Sequence, residues 1–188
     1  MKDLQPLKPG DVWVFQTVRY INGIPFDSTL DTTIVLARTT FGGTPAYAAK
    51  LGSSDTVYKY YDSSGSELWG MRGASIYGPA YNDRILWYPL PSGDSVSLFD
   101  STLSTDGLRL RRSETYRGLS VIPGPDGRRR LCYWFTLRSY FTIEGESEQL
   151  ESSEDVYVEP FVGTIYEVVY YANGSINFTS SLQRYVVF

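Results

Sequence analysis

The sequence predicts a single all-β domain, an antiparallel meander of about ten strands that curves into a barrel or half-barrel sheet. Short aromatic and β-branched runs alternate with turn residues along the whole chain, and Asn-Gly or Asp-Gly pairs divide them. The 16 Tyr, 9 Phe and 4 Trp also suit pleated, half-buried surfaces. A sheet of this size must curl, close or stack to cover its apolar face, so a β-sandwich is the alternative.

The predicted strands follow the turn pairs in chain order. The pairs Asn22-Gly23, Asp106-Gly107, Asp126-Gly127 and Asn173-Gly174 suit type I′ hairpin turns, because both central residues can adopt positive φ. Strong strands are predicted around them at residues 12–20, 28–38, 95–101, 108–117, 131–143, 164–171 and 175–187. Weaker strands are predicted at 46–51, 57–61 and 155–159, and a single helical turn near 66–71.

The last strand shows the underlying pattern most clearly. Ile176, Phe178 and Leu182 fall on one face of a period-2 alternation, with Asn177 and Thr179 on the other. Side chains of a strand point alternately to its two faces, so this spacing indicates a half-buried antiparallel strand and disfavours an amphipathic helix.

The chain length of 188 residues fits one domain, residues 1–188, whose two halves share a short pattern. Residues 6–11 and 89–94 both read Pro-Leu-x-x-Gly-Asp, and a strand, a turn pair and a second strand follow each copy. An internal duplication into residues 6–88 and 89–188 would explain the match. The general enrichment of Pro, Gly and Asp in turns would explain it as well, so both origins stay open.

The composition argues against an enzyme. Histidine is absent, which removes the most common general base, the most common metal ligand and every Ser-His or Cys-His nucleophile pair. The single cysteine, Cys132, lies in a strong strand, which indicates a buried and inert thiol. A net charge of -4 disfavours nucleic acid as the main partner. We therefore expect no catalytic residue, no metal site and no cofactor.

Charge is segregated in the second half of the chain. Arginines dominate residues 109–138, whereas residues 144–159 carry acids and no lysine or arginine. The segregation predicts cross-strand ion pairs on a polar surface. A second hypothesis makes Arg128, Arg129 and Arg130 an anion contact, because three arginines just past a turn are expected to project into solvent.

Aromatic residues supply the candidate ligand site. Residues 73–83 mix Gly, Pro, Ser and Asn and predict a long surface loop, and long loops in compact domains are often functional. Ligand pockets are commonly lined by aromatic rings. The candidate ligand contacts are the tyrosines of this loop and three tryptophans: Trp69, Tyr77, Tyr81, Trp87 and Trp134. The alternative is that these rings only fill a β-rich core.

Two short motifs lie near the two ends of the chain. Leu7, Gly10, Trp13 and Phe15 form Leu-x-x-Gly-x-x-Trp-x-aromatic, and Val162, Gly163, Thr164 and Ile165 follow Phe161. Both motifs resemble those of a loosely defined group of uncharacterised bacterial cell-envelope proteins, many of them predicted lipoproteins. In that group a glycine stands where this chain has Phe161. The resemblance implies an antiparallel β-fold on the exported side of a membrane, and it carries no catalytic residues.

Three classes of function remain. The first is a non-catalytic envelope protein, periplasmic or extracellular, that binds a partner protein or a hydrophobic small molecule or lipid. The second is a structural or assembly subunit without a ligand, for which an oligomer is expected. The third is a small outer-membrane β-barrel, suggested by the alternating strand that ends at Phe188, although Arg184 falls on the face that would meet lipid. The sequence shows no export signal, so membrane association requires an anchor outside it, and a cytoplasmic location stays open.

Overall fold

The computed structural model describes residues 8–41, 44–51, 55–61, 68–72, 85–86, 97–105, 108–124 and 126–188, with side chains over 8–40, 47–50 and most of 109–188. Throughout this part of the chain the regular structure is β-strand, as the period-2 patterns predict. The strands form one antiparallel sheet that curls into a half-barrel. The predicted all-β meander is therefore confirmed, and the sandwich alternative is not adopted.

The described residues contain twelve strands, with these bounds: β1 Val12–Ile21, β2 Ile24–Phe41, β3 Thr44–Leu51, β4 Asp55–Tyr61, β5 Leu68–Arg72, β6 Ile85–Leu86, β7 Ser97–Thr105, β8 Leu108–Pro123, β9 Arg129–Ile143, β10 Gln149–Glu159, β11 Gly163–Tyr171 and β12 Ile176–Val186. Their order across the sheet is β6-β5-β4-β3-β2-β1-β12-β11-β10-β9-β8-β7. The chain therefore starts in the centre, runs out to β6, crosses to β7 and returns until β12 pairs with β1.

Two contacts between strands that are not neighbours accompany the curl. The indole Nε1 of Trp13 in β1 donates a hydrogen bond of 2.6 Å to the carbonyl oxygen of Val162, in the turn between β10 and β11. The side chain of Tyr185 in β12 lies near Arg130 in β9, three strands away, and raises the pKa of its guanidinium. Neighbouring strands lie about 4.8 Å apart, so curvature helps to bring such distant groups together.

All ten predicted strands are present, and the structure adds β5 and β6. The helical turn predicted near 66–71 is wrong, because β5 occupies most of that segment. The ladder from Tyr61 opposite Leu68 to Val57 opposite Arg72 holds it extended, although the segment has no clear period of its own. β10 begins at Gln149, earlier than predicted, because its polar first half pairs with β9.

The strand order places the two halves of the chain in equivalent positions. β1–β6 and β7–β12 form two blocks, and β1 and β7 lie at the same end of their blocks. The second Pro-Leu-x-x-Gly-Asp copy lies at 89–94, outside the described residues. The single domain and its duplication into residues 6–88 and 89–188 stay predictions.

The core is one cluster of buried side chains on the central strands and on β8 to β11. Its members are Trp13, Val35, Tyr116, Cys132, Phe135, Leu137, Val156, Val158, Val162, Ile165 and Leu182. Cys132 has no exposed surface, as predicted, and burial followed by the charge of Glu159 raises the pKa of its thiol to about 12. The thiol is therefore protonated at neutral pH.

Ion pairs join the arginine-rich segment to the acidic segment, as the charge pattern predicts. Arg111 lies 2.9 Å from Glu148, and Arg130 lies 2.8 Å from Glu159. The first pair lies near the β9/β10 turn and the second at the opposite end of the same two strands. The Arg111–Glu148 pair is 33% exposed on each side, and exposed pairs contribute at most about 1 kcal/mol, whereas the side chains of Arg130 and Glu159 are only 19% and 20% exposed.

Asp11 connects the beginning and the end of the described chain. Its buried carboxylate accepts hydrogen bonds from the backbone N–H of Lys8 at 2.8 Å and of Phe188 at 3.0 Å. Its backbone carbonyl accepts a further bond from the N–H of Val35 at 2.9 Å. The Gly-Asp pair of the first motif therefore closes the seam between β1, β2 and β12.

The β1/β2 turn has the predicted conformation. Asn22 and Gly23 have φ values of 50° and 76°, and a type I′ turn requires positive values at both positions. The pairs Asn173-Gly174 and Asp126-Gly127 do not form the predicted type I′ turns, because only their glycines have positive φ, at 81° and 74°. In the β11/β12 turn, Asn173 Oδ1 accepts hydrogen bonds from the backbone N–H and the hydroxyl of Ser175. Both hairpins join the strands that the sequence assigns to them.

Phe161 adopts a backbone conformation that suits glycine. Its φ is 64° and its side chain is 56% exposed, in the turn between β10 and β11. For a residue with a Cβ atom this conformation costs about 1–2 kcal/mol. It is also the position at which the resemblance expects a glycine, so local backbone geometry supplies a physical reason for that preference.

Replacing Phe161 by glycine is expected to raise the free energy of unfolding by about 1 kcal/mol, because it removes the left-handed strain and exposes little new apolar surface. Urea denaturation followed by circular dichroism measures the change. Phe161→Ala is the matched control, since it removes the ring and keeps the Cβ atom. An equal gain in both variants would contradict the explanation from backbone strain.

Candidate functional site

Trp134 belongs to an aromatic row on three neighbouring strands. Trp134 in β9, Tyr157 in β10 and Tyr166 in β11 lie directly opposite one another in the ladders, so they share one face of the sheet. The rings of Trp134 and Tyr157 are inclined by 10° with centroids 6.0 Å apart, and those of Tyr157 and Tyr166 by 37° at 6.0 Å. All three side chains are half-buried. These residues are called the aromatic row below.

Small residues border the aromatic row in the line across the sheet. Gly118 of β8 pairs with Trp134, and Ser181 of β12 pairs with Tyr166. Neither neighbour carries a large side chain that could cover the outer rings. All three residues of the row have intermediate exposure, so part of the row is in contact with solvent.

A carboxylate lies beside the aromatic row. Asp155 Oδ1 accepts hydrogen bonds from Nε1 of Trp134 and from Oγ1 of Thr136, both at 2.9 Å. Arg117 Nε donates to Oγ1 of Thr136 at 3.2 Å, and Asp155 lies close enough to Tyr170 to raise the pKa of its hydroxyl. These bonds orient the indole and place a few polar groups next to apolar rings, an arrangement typical of small-molecule sites.

The tyrosines around the site are neutral over the physiological range. Burial, followed by the charge of Asp155, raises the pKa of Tyr157 to about 12. Burial followed by the proximity of Tyr20 raises the pKa of Tyr166, and burial followed by Asp155 raises that of Tyr170. These hydroxyls can donate or accept hydrogen bonds, but they are poorly suited to act as general bases near neutral pH.

The structure describes the other predicted aromatic contacts only in part. Trp69 is placed in β5, opposite Tyr60 of β4 and Leu86 of β6. The remaining three, together with the whole predicted loop at 73–83, lie outside the described residues: Tyr77, Tyr81 and Trp87. Of the five predicted contacts, Trp134 is the one whose surroundings are known.

Sequence reasoning missed the partners of Trp134. Tyr157 and Tyr166 stand on different strands, and only the register of β9, β10 and β11 brings them opposite Trp134. Asp155 was not singled out, because it is one acid among several in an acidic segment. The pattern that could have indicated it is its spacing of two residues from Tyr157, which places both side chains on one face of a strand.

Arg130 is not exposed to solvent in the way predicted for the three consecutive arginines. Its Nη1 donates to both oxygens of Glu159, at 3.1 and 2.8 Å, and its Nη2 donates to Asp126 at 3.1 Å. Burial lowers the pKa of Arg130, but hydrogen bonding to Tyr185 and the charge of Glu159 outweigh it and raise the pKa. Gly124 permits the close packing, since a Cβ there would lie 2.9 Å from Cγ of Arg130. Arg130 is therefore engaged by carboxylates of its own chain.

Arg128 and Arg129 are exposed at the tip of the β8/β9 hairpin. The Arg128 side chain is 86% exposed and its Nε lies 3.8 Å from Asp126, whose pKa is lowered chiefly by the backbone N–H of Arg128. Val121 and Leu131 lie opposite each other next to this tip, 46% and 56% exposed. The tip thus combines cationic and aliphatic surface, and the predicted anion contact at Arg128 and Arg129 stays a prediction.

Within the described ranges, no group of three or more Asp, Glu or Cys side chains is arranged to hold a metal ion. The same part of the chain has no helix whose length and apolar character would let it cross a membrane.

Comparison by fold finds similar proteins where comparison by sequence does not. No family model and no curated protein sequence matches the chain. The chain is similar to a solved structure named "putative exported protein with YmcC-like fold" from Bacteroides fragilis, at 12% identity and a TM-score of 0.55, over 97% of this chain and 98% of that one. A "putative lipoprotein" from Parabacteroides distasonis aligns over the same shares at 12% identity and a TM-score of 0.49. The protein thus shares the fold of the Bacteroides fragilis protein.

Proposed function

We propose that this protein is a non-catalytic protein of the bacterial cell envelope that binds a hydrophobic small molecule or lipid at the aromatic row. The observation that carries the proposal is the alignment of Trp134, Tyr157 and Tyr166 beside Asp155 on one partly exposed face. Apolar rings supply the contact area for such a ligand, and the carboxylate network supplies orientation.

The envelope location is supported by two observations. The protein shares its fold with a Bacteroides fragilis protein that is named a "putative exported protein". The N-terminal and C-terminal motifs resemble those of envelope proteins, and the hydrogen bond from Trp13 to Val162 joins one motif to the other. The location that we propose is therefore periplasmic or extracellular.

A partner protein is the second candidate for the ligand. The observation that favours it is the tip of the β8/β9 hairpin, where Arg128 and Arg129 stand next to the exposed pair Val121 and Leu131. Arginine beside aliphatic side chains is common in protein interfaces, because its planar head binds carboxylates while the aliphatic groups lose contact with water.

The test of the ligand proposal begins with native mass spectrometry of the protein purified from envelope extracts. We expect an additional mass in the range of a lipid, retained by the intact protein. Titration with N-phenylnaphthylamine, an uncharged hydrophobic probe, then measures binding in solution. Trp134→Ala is expected to weaken probe binding about tenfold or more, because it removes the largest ring of the row.

Two variants separate binding from folding in this test. Trp134→Phe keeps a ring in the row while losing the hydrogen bond to Asp155, so it should retain most of the probe binding. Leu36→Ala alters a 50% exposed residue of β2 outside the site and should change nothing. Probe binding that survives Trp134→Ala in a folded protein would rule out the aromatic row as the site. A protein that copurifies with the chain would instead support the hairpin tip.

A further inference from the structure

Arg117 is a partly buried cation that forms no ion pair within the part of the chain that the structure describes. Three arginines with described side chains are partly buried: Arg111, Arg117 and Arg130. Arg111 and Arg130 each pair with a glutamate of a neighbouring segment. Among the described residues, the one hydrogen bond of Arg117 runs from Nε to Oγ1 of Thr136. Its two Nη atoms therefore keep their donor capacity.

A β-bulge places Arg117 on the face of the sheet that carries the aromatic row. The ladder between β8 and β9 shifts by one residue between Tyr116 and Gly118, and Arg117 is the extra residue. Its bond to Thr136, two residues from Trp134 along β9, shows that its side chain lies on the Trp134 face. Gly118 has a φ of 119°, a conformation that glycine adopts readily, and this permits the bulge. Because Gly118 lies opposite Trp134, Arg117 stands at the β8 end of the aromatic row.

A series of hydrogen bonds fixes the guanidinium near the indole. Thr136 Oγ1 accepts from Arg117 Nε at 3.2 Å and donates to Asp155 Oδ1 at 2.9 Å. Trp134 Nε1 donates to the same carboxylate oxygen at 2.9 Å. A hydroxyl has a single proton, and here it points to Asp155, so the hydroxyl presents a lone pair to Arg117. Thr136 thus orients the guanidinium and separates it from the carboxylate.

We infer, on the basis of the proposed ligand function, that the ligand of the aromatic row is an amphiphile whose carboxylate or phosphate head binds Arg117. The planar guanidinium binds carboxylates and phosphates through two parallel hydrogen bonds, and both Nη atoms are available for them. The apolar chain of the same molecule lies on the aromatic row. Since the cation stands at one end of the row, one molecule can contact both.

The charge balance favours an anion over a cation or an uncharged ligand. A charge that is partly removed from water loses hydration, and an opposite charge offsets this cost. Arg111 and Arg130 obtain that charge from glutamates, whereas Arg117 obtains it from the ligand. A cationic ligand would meet the like charge of Arg117. The Asp155 carboxylate does not cancel the preference, because one of its oxygens already accepts two hydrogen bonds and Thr136 stands between it and Arg117.

Competition with an uncharged probe tests the head-group preference. Decanoate, decyl phosphate and decanol carry the same apolar chain, and each is titrated below its micellar concentration against protein loaded with N-phenylnaphthylamine. A purely apolar site favours decanol, because the anions must give up hydration. We expect the stronger anion to displace the probe at a concentration about tenfold or more below that of decanol, since hydrogen bonds to charged groups are strong. Whether that anion is decanoate or decyl phosphate distinguishes a fatty-acid head from a phospholipid head.

Three variants test the assignment to Arg117, after circular dichroism has shown that each is folded. Arg117→Gln is expected to remove the preference for the anion over decanol. Arg117→Lys keeps the charge but not the planar fork, so it should retain part of the preference. Arg38→Gln removes an exposed arginine of β2, away from the aromatic row, and is the matched control that should keep the full preference.

The outcomes separate this inference from the proposed function. Probe binding that depends on Trp134 but shows no preference for either anion would overturn the inference and leave the aromatic row as a ligand site. A preference that persists in Arg117→Gln at the level of Arg38→Gln would overturn the role of Arg117. A protein that binds neither the probe nor the anions would overturn both proposals.

Discussion

Trp13→Ala is expected to lower the free energy of unfolding by about 3–5 kcal/mol, the usual cost of removing a large aromatic side chain from a core. Trp13 is 1% exposed and belongs to the core cluster of β1, β2 and β8 to β12. Its indole also donates the 2.6 Å hydrogen bond to Val162 that links β1 to the β10/β11 turn. Truncation therefore removes packing and leaves a buried carbonyl without this donor.

Urea denaturation of the variants separates these two effects. Trp13→Phe keeps most of the apolar volume but cannot donate to Val162, so we expect a smaller loss of about 1–3 kcal/mol. Leu36→Ala, at a position 50% exposed, serves as the surface control and should change stability by less than about 0.5 kcal/mol. A loss for Trp13→Ala no larger than that of the surface control would mean that the two motifs are not coupled through this residue.

The second large effect is a loss of stability in alkali through Cys132. Its pKa is about 12 in the folded protein, against an ordinary value of 9.0, because of burial and the charge of Glu159. Below pH 9 the thiol is protonated in both states and its contribution is fully present. Between pH 9 and pH 12 the unfolded chain releases the proton while the folded chain keeps it, so stability falls as pH rises.

The size of the stability loss in alkali follows from the difference in the pKa of Cys132 between the folded and the unfolded protein. Each tenfold change in proton affinity is worth about 1.4 kcal/mol, so ionisation of Cys132 is expected to remove on the order of 3–4 kcal/mol between pH 9 and pH 12. Urea denaturation at several pH values measures the slope. Cys132→Ala lowers stability at all pH values but should flatten the slope in this window, leaving the smaller contribution of groups such as Tyr157. An unchanged slope in Cys132→Ala would show that other groups cause the alkaline loss.

Only one residue of the aromatic row, Trp134, was predicted from the sequence as a ligand contact. Trp134 could be chosen as an aromatic candidate for a ligand contact, but Tyr157, Tyr166 and Asp155 become its neighbours through the register of three strands. The surroundings of Arg130 were also not predictable from its own position in the sequence. Three consecutive arginines predict three exposed cations, yet Arg130 in β9 pairs with Glu159 of the neighbouring strand, whereas Arg128 precedes β9 and stays in solvent.

The first nine residues of β2, Ile24–Thr32, were only partly predictable, because the strand predicted from the sequence begins at residue 28. Nothing local tells how far a neighbouring strand extends. The ladders decide it, because β3 stops pairing at Thr33 while β1 continues to Ile24. Exposure of Phe26 and Leu30 follows from the absence of a neighbour along this segment in the described structure.

By itself the sequence determined the all-β class, ten of the twelve strands and the type I′ turn at Asn22-Gly23, because side-chain alternation and turn chemistry depend on neighbouring residues. Only the tertiary structure decided that β12 closes on β1, that Trp13 reaches Val162 and that three aromatic rings align. These features depend on the register between strands and on contacts between residues far apart in the chain. No local pattern specifies them, because a shift of one residue would exchange the faces of a strand without changing its alternation.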